Sequence, residues 1–231
     1  MSIRENIADV RFHIECAAKA AGRDASEITL VGASKMNDAQ ACREAISAGI
    51  DALGENRVQE MTQKLSENAY AGAPLHFIGH LQRNKVKMVV GKVDLIESVG
   101  SDALLDAINA QAEKLGIVQD ILLEVNIGGE DAKSGFAVSE LFSAAARAQT
   151  LASVRVRGLM CIPPVAEGAH GSTPYFEKVQ KLYVDINEKL YDNKLNILSM
   201  GMSGDYEDAV RAGATMVRVG TAIFGKRNYA I

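Results

Sequence analysis

A chain of 231 residues that is 48% hydrophobic and 23% charged has an ordinary globular composition and enough length to bury one large core. Its 25 basic and 29 acidic residues leave a net charge of −4 with neither sign concentrated, which argues against a nucleic-acid partner. No apolar run reaches a membrane span, the charged N-terminus MSIRENIADVRFHIECAAKAAG lacks a signal peptide's apolar centre, and Cys16, Cys42 and Cys161 match no zinc spacing; a cytoplasmic protein with reduced thiols is expected.

The first element is a helix over Ile3–Ala21, with apolar residues at Ile3, Ile7, Val10, Ile14 and Ala17, ended by Gly22. An alternation then begins. Strand-like apolar runs lie at Ile28–Ser34, Ala52–Gly54, Leu75–Gly79, Leu95–Val99, Ile121–Asn126, Val154–Ile162, Ile197–Met200 and Met216–Gly220. Helical patterns separate them at Asp38–Ala48, Val58–Glu67, Arg83–Val90, Ser101–Leu115, Val138–Thr150, Thr173–Leu190 and Asp205–Ala212. Alternating strands and helices mark a parallel sheet with crossover helices. The count fits a single α/β (β/α)8 TIM-type barrel with an extra N-terminal helix, spanning residues 1–231 as one domain. The loop Pro163–Ser172 is the loosest stretch, and it lies within the alternation.

In such a barrel, functional groups gather at the C-terminal ends of the strands. Lys35 directly follows the apolar run ITLVGAS, so its amine emerges at the barrel mouth. Partial desolvation there lowers a lysine's pKa and frees the neutral amine to attack an aldehyde, although position alone fits a solvated loop lysine more often. After the seventh strand come Gly201, Ser203 and Gly204; after the eighth come Gly220 and Thr221. Glycine turns at these two exits present backbone N–H groups that can cradle a phosphate. A Schiff-base lysine with a phosphate cradle suits pyridoxal 5′-phosphate (PLP), and equally a phosphorylated sugar in a class I aldolase. Arg218 favours PLP: it shares a face with Gly220 inside an apolar strand, where it can meet the pyridine nitrogen, or form a structural ion pair.

At these residues the chain resembles the pyridoxal phosphate homeostasis protein family, relatives of the N-terminal barrel of alanine racemase. The segments are SK at 34–35, GENRVQE at 54–60, HFIGHLQRNK at 76–85, LIESV at 95–99, VNIGGEDAKSGF at 125–136, GLMCIPP at 158–164 and LSMGMSGDYEDAVRAGATMVRVGTAIFG at 198–225. The resemblance implies that Lys35 carries PLP as a Schiff base. It implies that Ser203, Gly220 and Thr221 hold the phosphate, with Ser199 and Gly201 shaping that site. It places Arg218 near the pyridine nitrogen and Asn56 at the cofactor's edge. An arginine there makes the ring a weak electron sink. The family reads close to VAVSKT-x-P around the lysine; here VGASKMND places Gly32 and Met36 beside it and omits the proline, which removes a rigid element from the following turn.

Two functions follow. One is a cytoplasmic, monomeric PLP-binding protein of vitamin B6 and amino-acid homeostasis, without catalytic turnover, with PLP-dependent apo-enzymes as possible acceptors. The alternative is a PLP-dependent amino-acid racemase, which needs an acid/base group on each face of Cα. Lys35 serves one face, but the chain stops at Ile231 after the eighth strand and the tyrosines offer no clear second group. Tyr206, nearest the cradle, reads as a helix-surface residue. His80 reads as a structural histidine at a strand exit; Asn126 and Lys133 are at most mouth-lining, and Arg83, Lys85, Lys87 and Lys92 read as a solvated face.

Overall fold

The structure, a computed structural model, describes residues 1–130, 134–165, 168 and 170–225. It opens with α1 (Ile3–Ala20), started by a capping box in which Ser2 and Glu5 exchange hydrogen bonds. Ile7, Val10, Ile14, Ala17 and Ala18 are buried, as the 3.6-residue period requires. The strands are β1 (Thr29–Ala33), β2 (Ala52–Glu55), β3 (Leu75–Phe77), β4 (Leu95–Val99), β5 (Gln119–Asn126), β6 (Phe136–Ala137), β7 (Val154–Cys161), β8 (Ile197–Ser199) and β9 (Met216–Val219). The later helices are α2 (Ala39–Ser47), α3 (Val58–Ser66), α4 (Asp102–Leu115), α5 (Val138–Ala148), α6 (Thr173–Leu190), α7 (Tyr206–Arg211) and α8 (Thr221–Phe224).

Eight of the strands, all but β6, form a parallel sheet in the order β1-β2-β3-β4-β5-β7-β8-β9, closed by pairing of β9 with β1. These eight are the expected ones. Three details differ from the sequence reading. The Arg83–Val90 pattern forms only a 3-10 helix over Arg83–Met88, where Val86 alone is buried and no stripe supports an α-helix. The pair β6 continues alongside the end of β5, and α8 adds one turn after β9; both are too short to show a period.

Most of the core lies between barrel and helices, while α1 packs against α2, α7 and α8. A second, smaller cluster fills the barrel itself: Val31, Ala52, Leu95, Leu122, Met160 and Met216, each from a different strand. This apolar layer is the floor of the site above it.

Among the described residues, no helix is long and apolar enough to cross a membrane.

Candidate functional site

Side chains two apart on a strand share a face, so each floor residue predicts what stands above it. Leu95, Leu122, Ile197 and Met216 are followed by Glu97, Glu124, Ser199 and Arg218. The barrel interior thus changes from apolar to polar in one layer, and all four of these polar residues are buried. Arg218 Nη1 donates to Ser199 Oγ at 2.5 Å, and Nη2 donates to the Cys161 carbonyl at 2.9 Å. Ser199 Oγ in turn donates to Glu97 at 2.6 Å, and His76 Nδ1 lies 2.8 Å from the other Glu97 oxygen. Burial alone would raise the Glu97 pKa, but His76, Arg218 and Ser199 outweigh it and hold the carboxyl below its ordinary range. Glu124 differs. Burial pushes its carboxyl up despite Ser134, Arg218 and His80; Ser134 Oγ donates to one oxygen at 3.0 Å, and the other is buried with no hydrogen-bond partner among the described residues.

At the C-terminal mouth, the β1–β9 register pairs Val31 with Arg218 and Gly32 with Val219. Lys35, half-buried, lies in the turn beyond β1; Gly220 lies just beyond β9. A Cβ on Gly220 would lie 3.3 Å from the Ala33 carbonyl, so the two strand ends are in contact. The Gly220 and Ala222 N–H groups converge on Ser203 Oγ at 3.1 and 3.4 Å. The Ser203 hydroxyl thereby ties the turn after β8 to the turn after β9. Gly201 enters this turn with a φ of 91°, and a Cβ there would lie 2.5 Å from that of Ala209. Thr221 is exposed beside Gly220. Asn56, at the end of β2, has a buried Oδ1 that meets no hydrogen-bond partner among the described residues.

The turn after Lys35 is well closed without the proline. Asn37 Nδ2 donates to the Lys35 carbonyl at 3.1 Å, and Asp38 caps α2 by accepting from Ala41 N at 2.8 Å. Met36 occupies the left-handed region at φ 63°.

Ser203, Gly220 and Thr221 therefore lie together beyond β8 and β9, and Gly220 lies against Ala33, two residues before Lys35. Ser199 belongs to the buried layer and bridges Arg218 to Glu97, because it shares the inward face of β8 with Ile197. Tyr206 is buried at 7% exposure rather than on a helix surface. His80 is exposed and lines a cavity of about 590 Å³ with Arg83, Ser98, Ser101 and Ser134 on the β3–β4 side of the mouth; the structural histidine is His76. Asn126 closes the loop after β5 by donating to the Glu130 carbonyl at 2.8 Å. Lys133, and Ala166, Glu167 and Ala169 of the loosest loop, lie outside the described residues. The sequence reading missed Glu97 and Glu124, although LIESV and ILLEVN carry the signal applied to Arg218, a charge inside an apolar strand.

The molecule is thus a closed parallel barrel with Lys35 just beyond β1 and glycine-bearing turns, tied by Ser203, after β8 and β9. The family model described as alanine racemase, N-terminal domain, matches residues 6–228. The pyridoxal phosphate homeostasis protein of Aquifex aeolicus is 42% identical over 229 residues, covering 99% of this chain and 100% of that protein. The protein of the same name from Escherichia coli K12 is 39% identical over 233 residues, covering 99% and 98%. PipY of Synechococcus elongatus, solved with PLP bound, superposes with a TM-score of 0.85 at 32% identity, covering 97% of this chain and 100% of that one. The chain belongs to the pyridoxal phosphate homeostasis protein family, built on the alanine racemase N-terminal barrel. Alanine racemase of Clostridium difficile shares the fold alone, with a TM-score of 0.73 at 18% identity over 58% of its length.

Proposed function

We propose that this chain holds PLP at the C-terminal mouth of the barrel, with Lys35 as its covalent anchor. On this reading it serves PLP (vitamin B6) and amino-acid homeostasis without catalytic turnover of its own. The observation that carries the reading is the β1–β9 seam, which sets the Lys35 turn beside the Gly220 and Ser203 turn. The residues present fit the group. The converging N–H groups of Gly220 and Ala222 suit a phosphate, and the orphaned Asn56 Oδ1 suits a polar ligand edge. When bound, PLP supplies an aldehyde carbon that takes the Lys35 amine with loss of one water.

The chain's own residues do the holding. Ser203, Gly220 and Thr221 take the phosphate, with Gly201 letting the backbone approach closely. Arg218, braced by Ser199 and Glu97, presents a fixed cation toward the ring nitrogen and disfavours a proton there. Asn56 meets the edge of the ring. The relatives' name and the PLP-bound PipY support the same reading. With it goes a single PLP-binding domain over residues 1–231, working as a cytoplasmic monomer that releases PLP to apo-enzymes; the free thiols of Cys16, Cys42 and Cys161 suit that compartment.

Purified protein should be yellow, and borohydride should bleach it and fix the mass of PLP on Lys35. A colourless protein whose Lys35→Ala variant still binds PLP normally would overturn the assignment. The racemase reading has only fold likeness behind it; rapid scrambling of Cα stereochemistry in a deuterated amino acid would favour it instead.

A further inference from the structure

The two peptide groups that flank Lys35 are both gripped by α3. Lys64 Nζ donates to the Ser34 carbonyl at 2.9 Å, which holds the peptide on the N-terminal side of Lys35. Glu60 Oε1 accepts from the Met36 N–H, which holds the peptide on the C-terminal side. Glu60 and Lys64 lie one helical turn apart and pair at 2.8 Å. Lys64 also pairs at 2.7 Å with Glu55, whose same oxygen accepts from Ser34 Oγ at 2.6 Å and from the Tyr70 hydroxyl at 3.0 Å.

The chemistry is a costly way to fill space. The Lys64 side chain is 5% exposed and that of Glu55 is fully buried. Desolvating such a pair offsets most of its attraction, and apolar side chains of equal volume would stabilise the fold as well. Burial opposes the charge on Lys64, yet Glu55 and Glu60 overcome it and raise its pKa above the ordinary lysine value. The grip also holds Met36 in the left-handed region, an uncommon conformation for a residue with a side chain. What the charges add is direction: a donor and an acceptor, each aimed at one peptide beside Lys35.

We propose that Lys64 and Glu60 are positioning residues that fix both peptide planes around Lys35, and so set the direction in which its amine leaves the barrel wall toward the cofactor. The proposal rests on Lys35 being the PLP anchor.

The test uses full-length Glu60→Ala and Glu60→Gln. Glu60 is partly exposed, and the Lys64–Glu55 pair remains in both variants, so folding should persist. The rate of PLP attachment, followed by visible absorbance, should fall about tenfold to a hundredfold in Glu60→Ala. The visible circular dichroism per bound PLP should weaken, since it reports how uniformly the chromophore is oriented. Glu60→Gln, which keeps an acceptor for the Met36 N–H, should recover most of both. A second variant, Lys64→Met with Glu55→Gln, removes both buried charges together and should show the same loss at an intact urea midpoint. Wild-type attachment rate and dichroism in Glu60→Ala and in the double variant would overturn the proposal. Absence of borohydride-fixed PLP on Lys35 in the wild-type protein would instead overturn the anchor assignment beneath it.

Discussion

Arg218 donates to the Ser199 hydroxyl at 2.5 Å, and that hydroxyl donates onward to Glu97. The arginine that sequence reasoning picked out for a ring nitrogen is a counter-ion of a fully buried carboxylate. A guanidinium inside a barrel needs acceptors to offset its lost hydration, and Ser199, the Cys161 carbonyl and Glu97 supply them.

Arg218→Met should therefore cost about 3–5 kcal/mol, because it removes the guanidinium from beside the buried Glu97 and Ser199. Adding Glu97→Gln to that variant should recover part of the loss. Urea unfolding of the single and double variants measures both. A single-variant loss below about 1 kcal/mol would show that the pair contributes little.

Glu97 also fixes a sign for acid stability. Its folded pKa lies below the ordinary value of 4.5, so its contribution is present above that value and is lost as pH falls through the depressed one. The urea midpoint of the parent, minus that of Glu97→Gln, should shrink as pH drops below about 4.5. A difference independent of pH would contradict the assignment of charge to Glu97.

Glu124 should behave oppositely. Its folded pKa is raised by burial, so its favourable contribution is complete below the unfolded value and is lost as pH rises through the folded one. Glu124→Gln should match the parent in acid and equal or exceed its stability at neutral pH. A variant less stable at neutral pH than in acid, relative to the parent, would mean that the group is ionised and paired.

Ser203 tests the proposed phosphate site. Its hydroxyl takes the Gly220 and Ala222 N–H groups, so Ser203→Ala leaves them without that acceptor and deprives a phosphate of one donor. PLP affinity should fall by about 1–2 kcal/mol, roughly tenfold, while pyridoxal, which lacks the phosphate, should bind equally to both proteins. Equal loss for both ligands would place the effect outside the phosphate cradle.

Gly79 tests the backbone that carries Asn56. A Cβ on Gly79 would lie 2.2 Å from the Asn56 carbonyl, a backbone atom that cannot swing aside. Gly79→Ala should cost on the order of 3 kcal/mol and weaken PLP binding through Asn56. Gly204→Ala, with nothing within 4 Å, should leave the urea midpoint unchanged. A stable Gly79→Ala with normal PLP affinity would show that Asn56 tolerates displacement.

Local pattern was enough for most of the architecture. Eight apolar runs separated by helical periods dictate a β/α barrel because each strand buries both faces and each helix buries one stripe, and both facts are written within a few residues of chain. The strand-end positions of Lys35, Ser203 and Gly220 were legible for the same reason. What tertiary structure alone decided was which buried charges meet. His76, Glu97, Ser199 and Arg218 come from four strands, and Ser199 meets Arg218 and Glu97 because side-chain alternation on β8 turns it inward. Likewise, the Lys64–Glu60 grip on the peptides beside Lys35 depends on how α3 docks beneath the β1 turn, a relation that sequence spacing does not encode.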